Sequence, residues 1–407
     1  MKKVELLAPA GDFDRLKTAI KFGADAVYLA GDNFGLRKNA KNFDFDQLKE
    51  AVKYAHDKNV RVHVTMNVLP HDNDMKGIVE YVKYLDEIGV DALIISDPGI
   101  FQIAKDNSNI DLHISTQASV TNSQTVNFWY NQGAKRVILA RELSLDEIKD
   151  IKNNAPKDLE IECFIHGAMC ISYSGRCLLS NYMTARDANR GDCAHACRWK
   201  YSLQEEKRPG EYFPIVEDER GTYIFNSKDL CLIDELDKLI EAGIDSFKIE
   251  GRMKTQFYVA TVIRSYRQAI DAYYNGKYNE GIAKKYLNEI RKASHRHFTK
   301  AFFDNKADHN SQIYDSSSYI RGYDFIALVL DYDEDKKLAK IEQRNRFFKG
   351  DKVEIFGNSE DFIDYTFDKI INEDGEEVEL CNHPKEVLYI EIDQKLEPGD
   401  MIRRKID

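Results

Sequence analysis

One phrase governs what this chain can fold into: an amphipathic helix, a glycine that ends it, then a short apolar strand. Gly23 precedes Ala26-Val27-Tyr28-Leu29, and Gly89 precedes Ala92-Leu93-Ile94-Ile95. Gly133 precedes Val137-Ile138-Leu139, and Gly243 precedes Phe247-Lys248-Ile249. A glycine just past a helix accepts the left-handed backbone that stops it. The strands do not alternate apolar with polar residues, so both of their faces are expected to be buried, as in a parallel sheet.

Extending the pattern gives strands at 4–8, 25–30, 60–66, 91–96, 110–116, 135–140, 160–165 and 245–250. Helix 44–58 carries Phe45, Leu48, Ala51, Val52 and Ala55 on one face, and helix 76–88 carries Ile78, Val79, Val82, Leu85 and Ile88. Eight βα units over residues 1–300 imply an α/β fold, a closed (β/α)8 TIM-like barrel. A doubly wound open sheet would want a glycine-rich phosphate fingerprint after its first strand, and Ala8-Pro9-Ala10-Gly11-Asp12 is not one.

Chemistry in such a barrel sits where the strands end. Polar residues stand at those exits: Asn67, Asp97, Gln117, Arg141 with Glu142, His166, and Glu250 with Arg252. Each alone reads as a loop or capping residue; their recurrence points to a site. Between strand seven and the next helix lies an insertion, 166–231, far longer than an ordinary βα loop. Hairpin-like stretches occur near 199–204, 212–217 and 221–226, and a helix cap is expected within 226–231. From 312 to 407 the segments become short, β-branched and punctuated by turns such as Lys349-Gly350-Asp351 and Pro398-Gly399-Asp400. They imply a small antiparallel β-barrel.

Six of the seven cysteines fall within 163–231. Cys170, Cys177, Cys193 and Cys197 are followed by Cys231, with small residues and arginines between them rather than an apolar surround. Such thiols suit a [4Fe–4S] cluster or tetrahedral zinc. Only Cys193 and Cys197 have the close spacing of a zinc knuckle; packing or redox thiols are the third reading. Cys163 and Cys381 read as buried packing residues. Arg176, Arg186, Arg190, Arg198 and Lys200 interleave with Tyr173, Tyr182 and Trp199, a pattern suited to an anionic substrate or a polynucleotide. No Gly-x-Ser-x-Gly elbow or His-Glu-x-x-His helix occurs, which leaves a hydrolytic mechanism little support.

The 58 basic and 69 acidic side chains leave a net charge of −11, so any contact with nucleic acid needs a local basic patch. The candidates are the basic insertion and the C-terminal β domain; a separate basic stretch holds Arg291, Lys292, His295, Arg296, His297 and Lys300. Glu5 and Asp12 interrupt what would otherwise resemble a signal peptide, and no apolar run reaches membrane-spanning length. A cytoplasmic protein is expected, where clustered cysteines serve metals or redox chemistry more often than disulfides.

The run His166-Gly167-Ala168-Met169-Cys170 with Ser174-Gly175-Arg176-Cys177-Leu178-Leu179-Ser180 resembles the signature of the U32, or collagenase-like peptidase, family. The resemblance extends through 186–193, through Ser227-Lys228-Asp229-Leu230 and 248–254, and to Leu7-Ala8-Pro9-Ala10-Gly11. It implies an iron–sulfur protein that hydroxylates without molecular oxygen, most like the branch forming 5-hydroxyuridine at the tRNA wobble position. It also implies a prephenate or similar dicarboxylate requirement and tRNA as partner, with a paired family member possible. By position the cluster ligands would be Cys170, Cys177, Cys193 and Cys231, with Cys197 as alternate. Arg176, Glu250, Arg252 and His166 would be catalytic, and Arg37, Arg186, Arg198 and Tyr173 would bind substrate. The alternatives are a peptidase, as the family name suggests, and an RNA-binding adaptor with a structural metal.

Overall fold

The computed structural model describes residues 2–32, 42–169, 177–186, 188–190, 192–199, 202–203, 213–214, 226–304, 312–313 and 319–406. Eight parallel strands form its larger part: β1 (Glu5–Pro9), β2 (Ala26–Leu29), β3 (Arg61–Met66), β4 (Ala92–Ile95), β5 (Asp111–Ile114), β6 (Arg136–Ile138), β7 (Glu160–Ala168) and β8 (Ser246–Ile249). Each pairs with its sequence neighbour, and β8 pairs with both β1 and β7, which closes the barrel. Every strand expected from the sequence is present, and all four helix-stopping glycines have positive φ.

The helices form for local reasons. In Phe45–His56, Asp44 caps the N-terminus and Gln47 reaches back to it, while Leu48, Ala51, Val52 and Ala55 are buried. Phe45, expected on the buried face, is 48% exposed because it stands at the helix start, edge-on to Tyr81 and Tyr84. Among the described residues no helix is long and apolar enough to cross a membrane.

The barrel interior is layered. Near the N-terminal ends of the strands, fully buried Arg136 lies 2.6 Å from Glu5, 2.9 Å from Glu162 and 2.6 Å from Glu160. Lys248 reaches the same Glu162 at 3.0 Å. Burial alone would raise the Glu5 carboxyl, but the charge and hydrogen bond of Arg136, together with His63 and Arg61, outweigh it and hold that group at about 2. Burial holds the neighbouring His63 imidazole down at about 3. Next comes a small apolar cluster of Leu7, Ala26, Tyr28, Ile94 and Ile138, with Phe164 packed on it.

The insertion leaves from the end of β7 and returns as strand Asp229–Cys231, which pairs antiparallel with β7, Cys231 opposite His166. The expected cap within 226–231 is therefore corrected. Asn226–Ser227 pairs with Gln312–Ile313, and the next helix starts only at Leu236. The tail of β7 needs a partner that β8 is too short to provide, and this returning strand supplies it. Ser202–Leu203 and Phe213–Pro214 form the expected hairpin pairing; residues 221–225 lie outside the described residues.

Tyr323–Asp333, Leu338–Gln343, Lys352–Phe356, Val387–Glu391 and Met401–Lys405 belong to a curled seven-stranded antiparallel sheet with its own core, including Ile326, Ile341, Phe367 and Ile390. A buried ionic knot fixes it to the barrel. Arg403, with no exposed surface, pairs with Glu289 and lies 2.8 Å from Glu354. Arg264 of helix Gln256–Tyr274 donates to the Ser359 carbonyl at 3.1 Å.

Candidate active site

At the C-terminal ends of the strands lies a cavity of about 280 Å³, above Tyr28 and Phe164. Two glycines explain how its walls come together. Gly11, after β1, packs so tightly that a Cβ there would stand 2.0 Å from the Arg252 carbonyl oxygen. Gly167, near the end of β7, has φ +112°, and a Cβ would stand 2.7 Å from Glu250. Both positions need glycine for close approach, and Gly167 needs it for its backbone conformation as well. The loop after β8 is thereby pressed against β1 and β7, which carries Glu250 and Arg252 to the cavity wall. Arg252 is buried and donates to Thr65 Oγ1 at 3.1 Å.

Three further cations line the cavity: Arg141, Lys248 and Lys254. Arg141 donates through Nη1 to the Ala168 carbonyl at 2.7 Å and lies over the Phe164 ring. The Lys248 ammonium sits 4.5 Å from the Tyr28 ring centre. Burial pulls its pKa below the usual lysine range, against the opposing pull of Glu162. Sequence reasoning passed over Lys248. The available signal was a charged residue inside a strand expected to be apolar on both faces. Glu5, Arg136 and Glu162 carry the same signal.

The insertion forms another wall, with Cys177, Cys193 and Cys197 all lining the cavity. Asn189 clamps Cys177 in place, accepting from its N–H and donating to its carbonyl, both at 3.1 Å. The His195 N–H points at Cys193 Sγ at 3.3 Å. The Ala194 N–H donates to Ser180 Oγ at 2.9 Å. Arg186, expected to bind substrate, pairs with Asp192 at 2.7 Å and so braces this loop instead of lining the cavity.

Two other expected site residues stand apart from the cavity. Cys231 is buried, its Sγ 3.7 Å from the Tyr266 hydroxyl, and burial pushes its thiol up to about 11. His166 is buried among the rings of Tyr258, Tyr266 and Phe298, and burial holds its imidazole down at about 3. The bulge in the β7–β8 pairing explains the placement: plain alternation would put His166 on the same face as Phe164, which points into the barrel, but past the bulge His166 faces the surrounding helix. Cys163 and Cys381 are core residues. Arg37, Cys170, Tyr173 and Arg176 lie outside the described residues, as does the Arg198 side chain.

Among the described residues, no three His, Cys, Asp or Glu side chains are grouped so that they could hold a single metal ion. The basic stretch 291–300 is not an open patch. Arg296 and His295 are buried, Lys292 pairs with Glu289 and Glu354, and Lys300 pairs with Asp234 and Glu235.

Residues 11–313 match the model of peptidase family U32, and residues 321–403 match the model of the U32 C-terminal domain. The chain belongs to peptidase family U32. This U32 chain is 43% identical to tRNA hydroxylation protein P1 of Bacillus subtilis, over 99% of its own length and 95% of that protein's. It is 35% identical to tRNA hydroxylation protein P of Escherichia coli, over 98% and 95% of the two chains. It is also 40% identical to the 23S rRNA 5-hydroxycytidine C2501 synthase of Escherichia coli, over 66% of this chain and 40% of that one.

Proposed function

We propose that this chain hydroxylates a tRNA uridine, forming 5-hydroxyuridine at the wobble position. The observation that carries this reading is its end-to-end match to relatives named for tRNA hydroxylation. A wobble base is unpaired in free tRNA, so it can be presented to a cavity at a barrel mouth without opening a duplex.

In the same reading, a [4Fe–4S] cluster is held by Cys170, Cys177, Cys193 and either Cys231 or Cys197. Support comes from Cys177, Cys193 and Cys197 lining one cavity and from the His195 N–H directed at Cys193 Sγ. When bound, the cluster would supply one-electron chemistry. The protein's own part is to line the cavity with cations. Arg141, Lys248, Arg252 and Lys254 suit a small dicarboxylate such as prephenate. Action with a second family member is part of the same reading.

A peptidase reading would want a base beside a nucleophile. His166, four residues before Cys170 in the family-like run, instead sits neutral among aromatic rings. The deciding experiment is mass spectrometry of tRNA nucleosides from a strain lacking this gene. Loss of 5-hydroxyuridine, restored by the wild-type gene, is expected; unchanged nucleosides would refute the proposal and favour an RNA-binding adaptor.

A further inference from the structure

Exposed apolar side chains gather round the cavity mouth. Among the described residues thirteen large hydrophobic side chains are exposed, and six of them stand there: Leu69, Leu178, Trp199, Met253, Tyr319 and Ile320. Met253 and Tyr319 line the cavity themselves, and Leu178 lies between Cys177 and Leu179, which do. The Leu69 N–H donates to the carbonyl of Asn189, another lining residue, at 3.2 Å. Ile320 follows Tyr319 and pairs with His295 in an antiparallel bridge, which pins this part of the chain beside the opening. One exposed leucine carries no information, but several apolar side chains round one opening mark a surface that a partner covers.

Trp199 is placed there by the backbone. His195 takes the left-handed region at φ +57°, and the turn Ala196–Arg198 that follows is closed by the Trp199 N–H, which donates to the Ala196 carbonyl at 3.1 Å. Ala196 and Cys197 are buried in the cavity wall, so the turn delivers the indole to the lip, where it is 46% exposed. Aromatic rings dominate the energetics of interfaces, and this one keeps much of its surface open to a partner.

Charge identifies the partner. The chain as a whole carries −11. Of the Asp, Glu, Lys and Arg side chains lining the cavity, however, four are cations, Arg141, Lys248, Arg252 and Lys254, and one, Glu250, is an anion. A protein-binding patch is depleted of charge at its core, whereas this apolar rim encircles an excess of positive charge. Single-stranded nucleic acid wants that combination, with bases on apolar and aromatic faces and phosphates drawn to cations. A duplex hides its base faces in its own stack, so such a rim favours unpaired strand.

We propose that this rim seats the unpaired nucleotides on either side of the base that enters the cavity, with Trp199 stacking on one of them. The inference rests on the reading of RNA as substrate and adds how the loop is held. Drawing a base into the cavity takes a stacking partner from each neighbour, and the rim replaces what is lost. Every base has a π-face, so Trp199 holds the loop without choosing its sequence.

The test is a fluorescence titration of the full chain, purified without oxygen, against two RNAs: an anticodon stem–loop with uridine at the wobble position, and a blunt duplex with the same number of phosphates. The chain has two tryptophans, and the other, Trp129, is 8% exposed, so quenching by a stacked base reports on Trp199. The stem–loop is expected to quench and the duplex is not. With a labelled stem–loop read by anisotropy, Trp199→Ala is expected to weaken binding about tenfold without changing the slope of log affinity against log salt, and Trp199→Phe to restore most of the loss. Met253→Ala, on a different loop, is expected to weaken binding too and guards against a Trp199 variant that folds badly. Equal quenching by the duplex, quenching by neither RNA, or undiminished binding by both alanine variants would overturn the inference. So would a wild-type dimer in sedimentation that Trp199→Ala splits, because a second copy would then be what covers the rim. If the deletion strain loses 5-hydroxyuridine and Trp199→Ala restores it fully, the inference falls and the proposed function stands. Quenching by the stem–loop alone, with unchanged tRNA nucleosides in the deletion strain, would refute the proposed function and leave the rim's role standing.

Discussion

Replacing Arg136 with methionine tests the ionic layer inside the barrel. The guanidinium has 1% of its side chain exposed and faces three carboxylates, Glu5, Glu160 and Glu162. Methionine keeps the length and removes the charge, so at least one fully buried carboxylate loses its counter-ion. Breaking a buried ion pair from one side costs about 3–5 kcal/mol. An independent estimate comes from Glu5. Its carboxyl lies at about 2 rather than 4.5, which corresponds to about 3 kcal/mol of stability. Because the folded value is the lower one, that stability is fully present above pH 4.5 and is lost as pH falls through about 2. Denaturant unfolding at pH 7 should therefore place Arg136→Met about 3–5 kcal/mol below wild type. The gap should narrow as pH is lowered from 5 toward 2, since protonated carboxylates no longer need the cation. At pH 7 the buried His63 is neutral in the wild-type protein. A difference under about 1 kcal/mol at pH 7, or a gap that widens in acid, would refute the account.

Gly167→Ala places a Cβ 2.7 Å from Glu250 in a backbone of φ +112°, so Glu250 must move; 5-hydroxyuridine in a complemented deletion strain should fall by about 10²-fold, and near-normal levels would show that Glu250's position is immaterial. Cys231→Ser and Cys197→Ser, purified without oxygen, should differ in iron content and visible absorbance. Whichever substitution abolishes the chromophore identifies the fourth ligand, and retention of a full iron complement by both would reject the two of them. His63→Leu should flatten acid destabilisation. A group held at about 3 in the fold and 6.5 outside it removes stability progressively as pH falls from 6.5, and an unchanged pH profile would count against its burial in neutral form. Arg403→Met should loosen the C-terminal sheet, seen as an added low-temperature step in calorimetry, because Glu289 and Glu354 lose a shared, fully buried cation.

The barrel was legible because its evidence is local. A glycine after a helix and a strand without alternation each report their own neighbourhood, and four repeats of the pair set the period for the rest. The exits were legible for the same reason, and Asn67, Gln117, Arg141, Glu250 and Arg252 do reach one cavity. Side-chain direction was harder. His166 stands beside the right motif, yet the bulge in the β7–β8 pairing turns it outward into aromatic packing. The charge at 291–300 is paired largely across sequence: Asp234 and Glu354 are distant in sequence from it, and only Glu289, three residues before Lys292, is local.

The ionic layer explains why the cavity floor can be charged at all. Each of Glu5, Arg136, Glu162 and Lys248 comes from a different strand, and none is tolerable alone in a parallel barrel core. Together they neutralise one another below the Tyr28 and Phe164 rings. Glu162 is the joint between the two levels, pairing downward with Arg136 and upward with Lys248, whose ammonium then sits at the base of the cavity. The stability of the barrel and the cationic character of its mouth therefore share one residue. Glu162→Gln, which keeps the shape and removes the charge, perturbs both at once, whereas changes at Arg252 or Arg141 touch only the mouth.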